Sequence, residues 1–230
     1  MTASEIEAKY DAFYRKRAAE KVYPVEFVVR AFLGTYPRLK IETVALRGRR
    51  VLDLGFGDGR NVPLLSDLGL EVHGVEITEE ICRHAAMRMK ELGVRFEARV
   101  GRNAGLPYAD NFFDHVVACH SCYYVDAGMK FADNIAEIGR VTKSGGLFVH
   151  SLPIGSSYIF RGATDLGDGH MRIANDPYGV RNGYVLKKFD ASDEIERTLS
   201  PMFSDVRIGS CKSDWWGIEE HVWIVVCRRQ

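Results

Sequence analysis

Val51-Leu52-Asp53-Leu54-Gly55-Phe56-Gly57-Asp58-Gly59-Arg60-Asn61 decides how this chain folds. An apolar run follows two arginines and closes on three glycines spaced at every second residue. The pattern predicts a buried strand, a tight turn and the start of a helix. Glycine suits such a turn because a Cβ would keep the backbone from closing on a ligand, and a positive φ is open to it. A second apolar strand, Gly74-Val75-Glu76-Ile77-Thr78, ends in an acid. A glycine turn after one strand and a carboxylate at the end of the next suit the two hydroxyls of a ribose. The expectation is a nucleoside-containing ligand at the carboxyl ends of a parallel sheet.

Glycine spacing narrows that ligand. Nicotinamide dinucleotide folds use Gly-x-Gly-x-x-Gly, whose helix N-terminal amides hold a pyrophosphate. Here the spacing is Gly-x-Gly-x-Gly, with Asp53 two residues before the first glycine. A carboxylate there repels a pyrophosphate and suits an ammonium group. S-adenosylmethionine, zwitterionic at its amino-acid end and cationic at sulfur, has that chemistry.

Two later segments extend the pattern. Gly105-Leu106-Pro107-Tyr108-Ala109-Asp110-Asn111-Phe112-Phe113-Asp114 precedes an expected fourth strand. Ile135 to Gly146 reads as a helix and a Gly-Gly turn before a fifth. Over roughly residues 49 to 152 the chain resembles the class I S-adenosylmethionine-dependent methyltransferases. The resemblance implies an α/β fold with a Rossmann-like seven-stranded sheet, mostly parallel, whose last strand is antiparallel. It also implies that Asp53, Gly55, Phe56, Gly57, Gly59, Glu76, Ile77, Asn103, Ala104 and Cys119 hold the cofactor. Many members carry an Asp and an Ala after the third strand to read adenine, where this chain has Arg102-Asn103-Ala104. Arginine has donors only, whereas Asn103 both donates and accepts.

Composition sets limits. A length of 230 residues suits one domain with a full core. Lys+Arg and Asp+Glu both number 31, so no net field draws the chain to nucleic acid or an anionic membrane. The charged first twenty residues do not read as a signal peptide, and no apolar run is long enough to span a bilayer. Five scattered cysteines suit a reducing, cytoplasmic setting rather than a disulfide framework. Cys119-x-x-Cys122 has no second pair at zinc spacing, so it reads as free thiols, and no metal is expected. A small-molecule substrate is the expected partner; the oligomeric state is left open.

The layout expected is a helical arm over 1–48 broken by Pro24, a cofactor core over 49–152, a lid over 153–190, and a helix and strand pair over 191–230. Strands are expected at 49–54, 70–77, 94–100, 113–119, 147–152, 204–210 and 221–228. The stretch after the fifth strand is long, glycine-punctuated and polar, and such loops commonly carry function. Its alternative is a short extra β-hairpin serving stability. Asn175-Asp176-Pro177-Tyr178 imitates an amine-methyltransferase signature, but it lacks a second proline and lies after the wrong strand, so we set that reading aside.

Chemistry should concentrate at the end of the fourth strand, Ala118-Cys119-His120-Ser121-Cys122-Tyr123-Tyr124. His120 is the candidate general base, with an ordinary pKa that leaves it neutral near pH 7; a hydrogen-bonded wall residue is the alternative. Tyr14, Tyr123, His150, His170, Arg172 and Arg181 are the candidate substrate residues, and His150 and His170 the rival bases. Arginines suit a carboxylate, a phosphate or many hydroxyls. The activity expected is methyl transfer to a polar small molecule, at a hydroxyl oxygen. A methyltransferase acting on protein or RNA, and a silent cofactor-binding subunit, stay as alternatives.

Overall fold

The computed structural model describes residues 3–17 and 20–230. Residues 1, 2, 18 and 19 of the expected arm lie outside the described residues. In the arm, α1 (Ala3–Lys16) and α2 (Glu26–Leu33) flank Pro24, which sits just before the extended N-cap Val25. Val25 donates its backbone N–H to Asn61 Oδ1 at 3.0 Å, tying the arm to the segment after the glycine turn.

β1 (Arg50–Leu54) is central to the sheet. It pairs in parallel with β2 (Glu71–Glu76), matching Leu52 with His73, and with β4 (Phe113–Ala118), matching Leu52 with Val116. The full order is β10-β11-β6-β4-β1-β2-β3, with β3 at Phe96–Val100, β6 at Thr142–Pro153, β10 at Phe203–Trp215 and β11 at Ile218–Arg229. The strands from β6 to β3 in that order run parallel, and β11 runs antiparallel to both neighbours. Such a sheet needs cover on both faces, so its central strands put apolar side chains on both. Leu52 and Leu54 join one core layer with Phe113 and Phe148, while Val51 joins the other with Val72, Val117 and Val149. Full burial of each such side chain contributes about 1.5–3 kcal/mol.

Helices α3 (Val62–Asp67), α4 (Glu79–Glu91), α5 (Phe131–Val141) and α6 (Ser192–Leu199) follow β1, β2, β4 and the excursion. Thr78 caps α4 by accepting the Ile81 N–H at 3.2 Å, and Gly93 follows its C-cap with φ +70°. The expected Gly-Gly turn before the fifth strand lies inside β6. That strand starts at Thr142, paired with Phe113, and bulges before Leu147 meets His115. Gly146 fits there because a Cβ would stand 2.4 Å from the Asp114 carbonyl oxygen.

The segment after β6 departs from the long loop foreseen. β5 (Tyr124–Val125), β7 (Thr164–Asp165), β8 (His170–Arg172) and β9 (Val185–Lys187) form a second, antiparallel sheet in the order β5-β9-β8-β7. Ile159, Phe160, Met171, Ile173, Tyr184 and Leu186 anchor it in the main core. Apolar burial and strand pairing hold this excursion in place, with Thr164–Asp168 left exposed. No helix of the described residues is long and apolar enough to cross a membrane.

Candidate active site

A cavity opens at the carboxyl ends of β1, β2 and β4. Leu54, Gly55, Glu76, Ile77, Asn103, Cys119 and His120 line it from the main sheet side. α1 adds Tyr10 and Tyr14, and the excursion adds Arg181 and Tyr184.

The glycine turn is shaped by close approach. Gly55 has φ +67°, and a Cβ on it would come within 2.4 Å of the Ser121 Cβ. Gly57 has φ +58°, and its Cβ would meet the Tyr14 hydroxyl at 2.4 Å. Glu76 braces this turn: Oε1 accepts the Gly57 N–H at 3.0 Å and Oε2 accepts the Ile77 N–H at 2.8 Å. Phe56 is buried against Phe96, and Gly59 faces Met89 and Ala85, so both support the turn from beneath. Ala104, in the turn between Arg102 and Gly105, does not line the cavity.

Asp53 is the electrostatic anomaly. It is fully buried, and neither carboxylate oxygen has a hydrogen-bond partner. Burial first, then the Glu76 and Asp58 carboxylates, push its pKa up to about 7. Burial lifts Glu76 to about 6, against the two N–H groups it accepts. Two carboxyls with raised pKa under one cavity leave a site short of positive charge. A buried polar group without a partner costs roughly 1–3 kcal/mol, more when charged.

The adenine-side residues are more constrained than the sequence suggested. Asn103 spends its amide N–H groups on the carbonyls of Ser121, at 2.9 Å, and Tyr124, at 3.1 Å, leaving its oxygen to accept from a ligand. Arg102 is held by Glu7 of α1 and by Asp126, the latter at 3.1 Å. It lines the cavity with its charge already paired.

His120 follows β4 with φ 55°, a left-handed conformation that costs a non-glycine residue roughly 1–3 kcal/mol. Its backbone N–H donates to Ser151 Oγ at 3.0 Å, and its Nδ1 lies 3.3 Å from the same oxygen. Burial lowers its pKa below the ordinary value, opposed by Glu220. Cys119 beside it is held a thiol, since burial raises its pKa well above normal.

Four of the expected substrate residues stand away from the cavity. His150 is fully buried and stacked on Phe148 at 3.9 Å, with burial pushing its pKa down to about 3. It is interior because β6 runs on to Pro153, three residues past it. His170 and Arg172 flank Met171 on β8; Met171 enters the core, so strand alternation turns its neighbours outward. His170 lies with Lys187 and Glu194 in a separate depression. Tyr123 is buried in the core, stacked on Tyr124 at 5.2 Å.

Tyr124 takes the wall position instead. Its hydroxyl accepts from Arg181 Nε at 2.8 Å and from Tyr10 at 3.3 Å. Arg181 also donates to Asp176 Oδ1 at 3.2 Å, and Asp176 accepts the N–H groups of Val180 and Arg181. Tyr10 was legible, one helical turn before Tyr14. Tyr184, Asp126 and Glu220 carried no local signal.

A family model described as a methyltransferase domain matches residues 52–150. The chain is 32% identical over 113 residues to a demethylmenaquinone methyltransferase of Renibacterium salmoninarum, covering 49% of this chain and 45% of that one. It is 29% identical over 160 residues to a probable S-adenosylmethionine-dependent methyltransferase of Mycolicibacterium smegmatis, covering 63% of this chain and 60% of the relative. A solved S-adenosylmethionine-dependent methyltransferase from Methanosarcina mazei superposes with a TM-score of 0.65 at 18% identity, over 90% of this chain and 99% of its own. Residues 52–150 match a methyltransferase domain, and the fold is that of the class I S-adenosylmethionine-dependent methyltransferases. It spans about half the length of the curated relatives it matches. The matched region contains the glycine turn, Glu76, Asn103 and His120; the solved neighbour extends the shared fold to 90% of the chain.

Proposed function

We propose that this chain is an S-adenosylmethionine-dependent methyltransferase that methylates a hydroxyl oxygen of a polar small molecule. Asp53 carries the cofactor part of the reading: its buried, partnerless carboxylate is a seat for the ammonium end of S-adenosylmethionine. Glu76, at the end of β2, suits the ribose hydroxyls, and the free Asn103 oxygen suits the adenine amine. Gly55 and Gly57 give the ligand access to backbone. When bound, the cofactor supplies an electrophilic methyl on a sulfonium. The protein contributes alignment and exclusion of water.

Substrate recognition falls to the other side of the cavity. Arg181, oriented by Asp176 and Tyr124, suits an anionic or hydroxyl-rich group. His120 stands where a substrate proton must leave, and its lowered pKa keeps it neutral near pH 7. The chain acts as one unit, with α1 covering the cavity through Tyr10 and Tyr14 and the excursion supplying Arg181 and Tyr184.

Incubating the purified protein with a metabolite extract and methyl-labelled S-adenosylmethionine tests the activity. The expected result is a polar compound that gains one labelled methyl as an ether or ester. A product labelled on nitrogen or carbon refutes the oxygen assignment, and no labelled product refutes the activity.

A further inference from the structure

Glu220 reaches His120 from β11, on the final hairpin, far from it in the sequence. Its Oε1 lies 3.8 Å from His120 Nε2. The other ring nitrogen, Nδ1, faces the buried hydroxyl of Ser151 on β6 at 3.3 Å. The ring meets Phe27 of α2 edge-on at 5.7 Å and 90°. A residue in a strained left-handed conformation thus has its imidazole fixed by two polar partners and one aromatic wall. Strain of this kind persists only when its surroundings enforce it.

We propose that Ser151, His120 and Glu220 form a proton-accepting relay whose substrate is an un-ionised hydroxyl compound. The inference rests on the methyltransferase reading above, and deepens it by naming two positioning residues and the state of the nucleophile.

The hydroxyl of Ser151 has two acceptor lone pairs. One takes the His120 backbone N–H at 3.0 Å; in the proposed relay the other takes Nδ1–H across the 3.3 Å contact, whose direction the tautomer sets. In that arrangement the ring proton is on Nδ1 and the Nε2 lone pair is free. The gap from Nε2 to Glu220 is too long for a direct hydrogen bond, so the carboxylate does not hold a proton on Nε2. A substrate hydroxyl beside Nε2 would give up its proton: the O–H bond breaks, the proton joins Nε2, and the oxygen keeps the electron pair that would bond to the methyl carbon as the carbon–sulfur bond breaks and its pair stays on the departing S-adenosylhomocysteine. The imidazolium so formed faces the Glu220 carboxylate, and the pair, singly negative before the transfer, becomes neutral as a whole. Arg181, from the loop before β9, and Arg60, from the turn after β1, face the ring as cations and oppose that protonation. Glu220 offsets them. A thiolate, an enolate or an unprotonated amine would need no such relay.

The test reads the ring directly and needs no substrate. Nitrogen-15 NMR of the full chain, with the His120 signals assigned by their loss in His120→Gln, gives the tautomer and the pKa. The wild-type ring is expected as the Nδ1–H tautomer, and Ser151→Ala should move it toward the Nε2–H form. Glu220→Gln should lower the His120 pKa by about one unit, the low end of the effect of a facing charge for a partly exposed group. Glu220→Asp should restore part of that shift. S-adenosylhomocysteine affinity, measured by calorimetry, should stay within about twofold in all three variants, because their side chains act on the substrate side. An unchanged His120 pKa in Glu220→Gln overturns the relay, as does an Nε2–H tautomer in the wild type. A wild-type protein that binds no S-adenosylhomocysteine overturns the underlying reading, and with it the relay's role.

Discussion

S-adenosylhomocysteine should bind about thirtyfold more weakly at about pH 5.5 than at about pH 8. Asp53 is the cause. In the free protein its carboxyl is lifted to about 7, so it is mostly neutral in mild acid. An ammonium group seated beside it requires the carboxylate, so binding must first release a proton. Each pH unit below the free-protein pKa costs about 1.4 kcal/mol, and roughly 1.5 units cost about 2 kcal/mol. Affinity therefore rises with pH and levels off above about 7. Calorimetry in two buffers of different ionisation enthalpy would count the released proton as well as the affinity. Asp53→Asn should weaken binding and flatten the profile, leaving a smaller step from Glu76 near 6. The same carboxyl makes a second, opposite statement about stability. Its folded pKa is above the ordinary 3.8, so the folded state holds the extra proton and loses stability as pH rises from about 4 to about 7. Without ligand at about pH 8, the Asp53→Asn protein should melt several degrees above the wild type. Wild-type and Asp53→Asn proteins with the same pH slope for binding would refute the seat assigned to the ammonium group.

Three further outcomes are expected. Gly57→Val should abolish S-adenosylhomocysteine binding, since its Cβ meets the Tyr14 hydroxyl at 2.4 Å on a positive-φ backbone; retained affinity in calorimetry would remove Gly57 from the site. Asn103→Ala should weaken that ligand by about 1 kcal/mol, the ordinary value of one hydrogen bond, and more than Arg102→Ala does, because Arg102 is already paired with Glu7 and Asp126. The reverse order would assign the adenine contact to Arg102. In hydrogen exchange of the free protein, the amides of Met171 and Leu186 should be slow and those of Thr164–Asp168 fast; rapid exchange throughout 153–190 would contradict the packing of the second sheet.

The cofactor half of the site was legible because its determinants are local. Asp53 and Glu76 sit on two adjacent strands and the three glycines in the turn after the first, and their spacing alone places them at one end of the sheet. The substrate half was legible only in outline. His120 and Arg181 were named from position and charge, and both line the cavity. The two- and three-residue strands at Thr164–Asp165, His170–Arg172 and Val185–Lys187 are too short to show a period, and one partner, Tyr124–Val125, lies well before them. His150 was misplaced for a different reason: a strand end set one residue short makes an interior position look like a tip. Glu220 could not be found at all, because only the pairing of β11 with β6 brings it near His120.

The place of β11 in the sheet also bears on how the protein is made. It is the last strand in the chain, yet it lies between β6 and β10 rather than at the margin. While the chain emerges from the ribosome, β6 keeps a bare row of hydrogen-bonding groups from Leu147 to Pro153 until β11 arrives to pair with it. An unpaired apolar strand of that length is a template for other nascent chains. The glycine turn and Glu76 are complete long before this, so a nascent chain holds the nucleoside side of its cavity well before Glu220 exists. Placement of Glu220 beside His120 is thereby tied to closing the sheet.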